Sequence, residues 1–486
     1  MRICGKLVVL AGASLVGLGV CGCATSARTE SEDAAAEASP DDALAEVSPD
    51  DAFTEASPDD GDTEDSPDDG DTEDSPPEPP RPVRYLGYFA SAFDGHGTGD
   101  HTAETAAAGA NLTFILTTVD GLEAKLTTAR AADCRAVLVV QPQLFDWSAG
   151  LALRSDWRTG WEAVAAIVES GHEDTVVAFY PLDEPYWNAQ GRSVADDTMR
   201  AWLTDVAAVI HERFPTKAVG TILAVPTLQR GIGGSYVEMF DWVGFDCYGP
   251  WDDCSGWSMP SYVTTLASWL TGDQRMIVVP EAFLWGTSGT GLLAQDVVVG
   301  RLNQWHKLLL SDARFIAAVP FLWPTLDLNA DGLADAGARD LPWIAERVSQ
   351  LAESLLRPGE SRVFPADFDA SSFYSTSVPF AATDRDEATA WNSGGLPPQW
   401  IAFDLGEENV LARIELLTTQ DPAGSTTHRI EGAVVEGSWF TLGSLEGATR
   451  DNQLLEWNGS ATVRWVRVTT TAGPSWVAWR EIRFFK

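Results

Sequence analysis

Beyond Pro82 the chain alternates between short apolar runs and longer amphipathic segments. The runs are Tyr85–Ala90, Leu112–Leu116, Ala136–Val140, Val176–Tyr180, Ala218–Ala224, Trp242–Phe245, Met276–Val279 and Ile316–Leu322. Each is near-continuously apolar, the pattern of a strand buried on both faces. Between them, Trp161–Glu169, Thr198–Arg213, Val263–Leu270, Val297–Leu310 and Ile344–Leu356 carry helical periodicity. Strands alternating with helices predict a parallel sheet, and eight repeats in about 270 residues predict a (β/α)8 barrel over residues 84–358. An open doubly wound sheet is the alternative. It would place a Gly-rich phosphate loop at the start of a helix after the first strand, and no helix pattern follows Gly95-His96-Gly97-Thr98-Gly99. From Ser361 helical periodicity stops. Trp400–Leu405, Ala412–Leu417 and Val463–Thr469 alternate between turn residues, which predicts an all-β sandwich over residues 359–486, with Gly359 at the boundary.

The first 83 residues have neither pattern. Arg2 and Lys6 precede an apolar run from Leu7 to Val20 and then Cys21-Gly22-Cys23, as in a signal peptide over residues 1–22; the run is too short for a comfortable membrane span. From Ser39 the unit Ser-Pro-Asp-Asp recurs every nine residues, and residues 23–83 offer almost nothing to bury. They read as a disordered acidic tether, stretched by self-repulsion. Of the net charge of −39, the 21 acidic residues between Glu30 and Pro82, set against Arg81 alone, account for about half. The rest is only moderately acidic, and nothing in it favours nucleic acid. Outside the leader the cysteines are Cys134, Cys247 and Cys254. In an exported chain Cys247 and Cys254 could pair across one loop and leave Cys134 a buried thiol, a pairing the spacing leaves open.

The working face of such a barrel is the C-terminal end of its strands. The residues just past the apolar runs are Asp94 and His96, Gln141 and Gln143, Asp183 and Glu184, Asp246 and Tyr248, Glu281, and Trp323. Asp183-Glu184-Pro185 alone reads as a helix cap. Glu281, ending a strand about 100 residues later, changes that reading, because glycoside hydrolysis needs one carboxylic acid and one carboxylate across a shared mouth. Side chains alternate along a strand, so Asp183 and Glu184 are expected to face opposite ways, with Glu184 toward the reaction centre.

On these residues the barrel resembles the clan of retaining (β/α)8 glycoside hydrolases. The resemblance implies Glu184 as acid/base and Glu281 as nucleophile, with Tyr248 hydrogen-bonding the nucleophile and Trp323 flooring the sugar subsite. Asp183, Asp246, Asp94 and His96 are the further substrate-binding candidates. Asp183 stands where many members have asparagine, and no arginine stands at a strand tip under the nucleophile. Residues 364–486 resemble discoidin-like, or coagulation factor 5/8 type C, carbohydrate-binding modules through Asp384-Arg385-Asp386-Glu387-Ala388-Thr389-Ala390-Trp391-Asn392, Pro398–Gly406 and Trp476–Ile482. That resemblance implies a structural calcium on Asp384, Asp386, Thr389 and Glu481, with Arg385 replacing the usual glycine. Asn392, His428 and Trp476 are its candidate sugar contacts. Val20–Cys23 resembles a bacterial lipobox, which implies lipidation of Cys23, with Cys21 the runner-up, and a place in the bacterial cell envelope, at the outer membrane or cell surface. Asp327–Asp335 has the start of a calcium loop but lacks its closing glutamate. The expected protein is a lipid-anchored monomeric glycoside hydrolase with a carbohydrate partner and no organic cofactor. The alternative is a non-catalytic surface glycan-binding protein on an inactive barrel scaffold.

Overall fold

The computed structural model describes residues 83–94, 99–328 and 330–486. The leader with Cys23, the acidic tether and His96 lie outside the described residues. Every apolar run becomes a strand: β1 Tyr85–Phe93, β2 Leu112–Leu116, β3 Arg135–Val139, β4 Val176–Tyr180, β5 Ala218–Ala224, β6 Trp242–Asp246, β7 Arg275–Val279 and β8 Phe315–Ala318. Each pairs in parallel with the next, and β8 returns to β1 through Tyr85↔Ala317 and Leu86↔Ala318, which closes the barrel. The final run is strand only as far as Ala318; Val319–Leu322 continues as a crossing segment in which Phe321 bridges Glu281.

Alternation within each run sorts its residues into two apolar layers. Phe89, Phe114, Ala178, Tyr180, Ile222 and Ile277 fill the barrel interior. Tyr88, Ile115, Phe179 and Leu223 face the surrounding helices, which contribute Trp161, Leu203, Leu266, Leu302 and Ile344. The two-layer burial explains why these strands read as continuous apolar runs.

After β6 a disulfide joins Cys247 to Cys254 (Cα–Cα 6.2 Å). Closing so short a loop contributes roughly 2–3 kcal/mol through the unfolded chain. Cys134 is buried, its thiol pushed up to about 11 chiefly by desolvation.

The C-terminal strands are β9 Arg362–Val363, β10 Asp367–Ala370, β11 Trp391–Asn392, β12 Gln399–Thr418, β13 Gly424–Ala433, β14 Phe440–Thr449, β15 Leu454–Ala472 and β16 Ala478–Phe485. They pair antiparallel in the order β9-β16-β12-β15-β13-β14, with β10 on β12 and β11 on β16. The β12–β15 ladder shifts register between Asp404 and Asn409, where a bulge lets the long strands bend. Trp391, Ile401, Phe403, Ile414, Val466, Trp479 and Phe484 form the core between the layers. Val299 and Trp343 of the barrel helices Leu292–Ser311 and Pro342–Leu356 pack with Val378 and Phe380, joining the two halves.

Candidate functional site

β4 ends at Tyr180, and the chain then leaves the extended conformation. Glu184 adopts left-handed backbone angles (φ 42°, ψ 56°), which cost a non-glycine residue about 1–3 kcal/mol. Its N–H donates to the Ile222 carbonyl at 3.0 Å, and the Asn188 amide donates to the Asp183 carbonyl at 2.7 Å, so both neighbours of the bend are tied down. Glu184 precedes the helix Pro185–Gly191 at its N-cap position, yet its side chain makes no capping bond. The helix-cap reading of this carboxyl therefore does not hold. The expected opposition of Asp183 and Glu184 is also corrected. Strand alternation stops at Tyr180, and the bend turns both carboxyls into one buried cluster with Asp246.

Asp183 accepts a hydrogen bond from the Tyr180 hydroxyl at 2.5 Å, and its amide donates to Gln141 Oε1 at 3.3 Å. Burial raises its carboxyl to about 6, against the opposing hydrogen bond from Tyr180. Asp246 is raised to about 7 by burial and then by the charge of Asp183, while the Tyr248 hydroxyl hydrogen-bonds it and favours the anion. Glu184 is 1% exposed and is pushed well above the usual carboxylate range by burial, Asp246 and Asp183 in that order. With both carboxyls ionised neither Glu184 oxygen has a partner; once protonated, Glu184 can donate to Asp246. Like charges in a shared dry site do not all ionise, so Glu184 holds a proton that its neighbours stabilise.

Glu281, just past the tip of β7, has the opposite neighbour. It is buried, which raises its carboxyl, but Arg301 forms an ion pair with it and draws it back toward the anion. Arg301 lies on the helix Leu292–Ser311, 20 residues along the chain, where a search of strand tips misses it.

The other expected residues divide. Tyr248 stacks on Phe321 (5.4 Å between ring centroids) and its hydroxyl goes to Asp246, not to Glu281. Trp323 does not floor a subsite. It is 7% exposed and packed edge-on against Tyr88 in the layer between strands and helices, with its indole N–H on Glu104 at 3.0 Å. Asp94 stands apart from the carboxyl cluster, paired with Lys125 at 3.1 Å and accepting from the Thr117 hydroxyl. In the Asp327–Asp335 loop, Asp327 accepts from the backbone of Asp331 and Gly332, and Asp335 from Gly286 and Leu328, so these carboxylates organise their own loop.

The raised carboxyls set a pH dependence. Asp183 and Asp246 bind protons more tightly folded than unfolded, so their contribution to stability is full below about pH 4 and falls as pH rises through 6 and 7. Asp246→Asn removes one ionisable member. The melting temperature of this variant relative to the wild type is expected to be higher at pH 8 than at pH 5; an offset equal at both pH values contradicts the assignment.

In the C-terminal domain, Asp384 and Glu481 are buried and are raised to about 6 and about 8, in both cases mainly by desolvation. Neither Glu481 oxygen has a hydrogen-bond partner. The Thr389 hydroxyl donates to Asp384 (2.8 Å), and Asp386 accepts from the Ala388 amide. Arg385 takes the left-handed backbone (φ 62°) that a glycine takes more easily, and its guanidinium reaches Glu346 and Glu353 on the barrel helix Pro342–Leu356. Among the described residues no three His, Cys, Asp or Glu side chains converge as a metal cluster, so a cation here would draw on backbone carbonyls as well.

His428 and Trp476 line one small pocket. The His428 imidazole shares a 2.9 Å hydrogen bond with Thr470 through Nδ1, and its buried Nε2 has no partner; burial lowers its pKa to about 4, so it is neutral at pH 7. Trp476 is 47% exposed and lies 5.7 Å from the ring of Tyr374, an exposed aromatic that sequence reading missed. Asn392 uses its Oδ1 locally, accepting from the Gly394 amide at 2.8 Å.

No curated protein matches the chain. Among solved structures, a family 32 carbohydrate-binding module of AlyQ in complex with 4,5-unsaturated mannuronic acid is 20% identical, covering 26% of this chain and 97% of its own (TM-score 0.24). The family 32 module of C. perfringens NanJ in complex with galactose is 16% identical over 26% of this chain and 99% of its own (TM-score 0.24). A chitosan-binding module from a Paenibacillus sp. IK-5 chitosanase/glucanase is 24% identical over 25% and 94% (TM-score 0.22). A family model matches residues 367–482, and this C-terminal part of the chain is an F5/8 type C domain.

Proposed function

We propose that the protein is an exported, lipid-anchored retaining glycoside hydrolase acting on an extracellular poly- or oligosaccharide, with its F5/8 type C domain as a carbohydrate-binding module. The observation that carries this reading is the contrast between two buried carboxyls past the tips of β4 and β7. Glu184 sits among other carboxyls, which keep it protonated, and Glu281 sits on Arg301, which favours its anion. That is the division of labour a retaining hydrolase needs. Glu184 gives its proton to the leaving oxygen while Glu281 attacks the anomeric carbon; Glu184 then takes a proton from the water that releases the sugar. The exposed rings of Trp476 and Tyr374, beside His428, support sugar contact by the C-terminal domain, since an exposed aromatic plate near polar groups suits the face of a pyranose ring. The disulfide suits an oxidising compartment, in line with the lipobox-like Val20–Cys23.

The near-complete burial of Glu184 and Glu281, at 1% and 6% exposure, favours a second reading in which the barrel is a scaffold and the protein only binds glycans. A screen of chromogenic glycosides and bacterial polysaccharides, with Glu281→Gln as control, separates the two. Turnover lost in the variant supports the hydrolase; glycan binding without turnover on any hit leaves the scaffold.

Calcium is proposed at Asp384, Asp386, Thr389 and Glu481, because the buried carboxyls of Asp384 and Glu481, the latter with neither oxygen hydrogen-bonded, suit a hard cation bound through oxygen. Millimolar calcium is expected to raise the melting temperature, and Asp384→Asn to remove that increase. A melting temperature equal in calcium and in EDTA contradicts the site.

A further inference from the structure

An antiparallel sheet with one face on the core ordinarily shows polar residues on the other. In β12 and β15 the inward set is Ile401, Phe403, Leu405, Val466 and Val468. The outward set is unusual. Trp400, Ala402 and Asp404 of β12 face out, and their partners across the ladder are Thr469, Arg467 and Trp465. Two large indoles thus stand on a face where the fold does not need them, separated by the small Ala402. Trp439, from the segment before β14, completes a groove of about 510 Å³, and Lys307 of the barrel helix Leu292–Ser311 forms part of its wall. All three tryptophans are only half-buried, and Arg464 lies over the Trp465 ring, 5.5 Å from its centroid.

The polar groups in the groove are held in place. Arg467 is fixed by Glu431 at 2.9 Å and stacked on Trp439, 4.4 Å from the ring centroid. Lys307 is neutralised by Asp367 at 2.7 Å and Asp404 by Arg464 at 2.9 Å. Asp369 and Glu436 also line the groove and have no ion pair within 4 Å among the described residues. The wall is therefore net negative. Flat apolar plates spaced along a trough, with oriented hydrogen-bonding groups between them, match a chain of pyranose rings, whose C–H faces are apolar and whose rims are hydroxylated. The unpaired carboxylates favour neutral or amino sugars over acidic ones.

We infer that the outer sheet face of the C-terminal domain is a second glycan-binding site, separate from the His428–Trp476 pocket and selective for a neutral or amino-sugar oligosaccharide. The inference shares the carbohydrate ligand of the proposed function, and it does not require the barrel to be catalytic.

The test uses the full chain in detergent, titrated calorimetrically with a chitosan hexamer and a neutral β-glucan hexamer, with oligogalacturonate as the acidic control. Trp400→Ala and Trp465→Ala are each expected to weaken binding of one of the first two probes about tenfold or more, with an unchanged melting temperature. Trp476→Ala should leave that binding event intact, and Asp369→Asn with Glu436→Gln should admit oligogalacturonate. Binding lost wholly in Trp476→Ala and unaltered in Trp400→Ala overturns the inference, as does a wild-type chain that binds none of the probes. Absence of Glu281-dependent turnover in the glycoside screen, by contrast, counts against the hydrolase alone.

Discussion

Glu184→Gln is expected to lower hydrolysis of an unactivated glycan by about 10²–10⁴-fold, the usual worth of a positioned general acid. Its loss should shrink on aryl glycosides whose leaving group departs without a proton. Glu281→Gln replaces the attacking carboxylate with a very weakly nucleophilic amide and is expected to cost on the order of 10⁴-fold or more on every substrate, whatever its leaving group. The split distinguishes the roles. If the two variants respond alike to the leaving group, or if both keep wild-type turnover, the assignment of acid and nucleophile is wrong. Circular dichroism should show both variants folded. Glu184→Gln keeps the shape and neutrality of the protonated acid beside Asp183 and Asp246, and Glu281→Gln leaves Arg301 an amide oxygen to bond.

Arg347→Ala carries the largest expected effect on stability. Arg347 is fully buried on the helix Pro342–Leu356, with Nε on Asn303 Oδ1 at 2.7 Å and its terminal nitrogens on Gln350 Oε1 at 3.2 Å, His306 Nδ1 at 3.0 Å and the Ala366 carbonyl at 3.1 Å. Ala366 lies just before β10, and Asn303 donates onward to Asp367 at 3.0 Å, so one guanidinium organises the junction of barrel and sandwich. Truncation leaves several buried acceptors unpaired and opens a cavity, at a cost of about 3–5 kcal/mol. Arg347→Met, which refills the volume but not the hydrogen bonds, should lose less. A fall in melting temperature equal in the two variants would assign the effect to polar contacts alone; no fall in either would contradict the junction role.

Much of the architecture is legible in the chain. Apolar runs between helical segments specify a barrel because a parallel strand must be buried on both faces. The boundary near Gly359 follows from the loss of helical periodicity, and Glu184 and Glu281 stand out because a barrel presents its strand tips together. The surroundings of those carboxyls are a different matter. Period-two reasoning separated Asp183 from Glu184, and it failed because the chain bends after Tyr180 into a left-handed Glu184. Tyr180 reads as one more apolar strand residue, yet its hydroxyl binds Asp183. Trp323 occupies the expected position past β8 but turns into the helix layer.

The sequence by itself determined the fold class, because that depends on local periodicity, and it singled out Glu184 and Glu281 as candidates from where strands end. Only the tertiary structure decided what each carboxyl experiences. Arg301 approaches Glu281 from a helix, Asp246 approaches Glu184 from another strand, and the pairing of β12 with β15 puts Trp400 and Trp465 on one sheet face on either side of Ala402. Charge and desolvation act through space over a few ångströms, and distance along the chain carries little information about them.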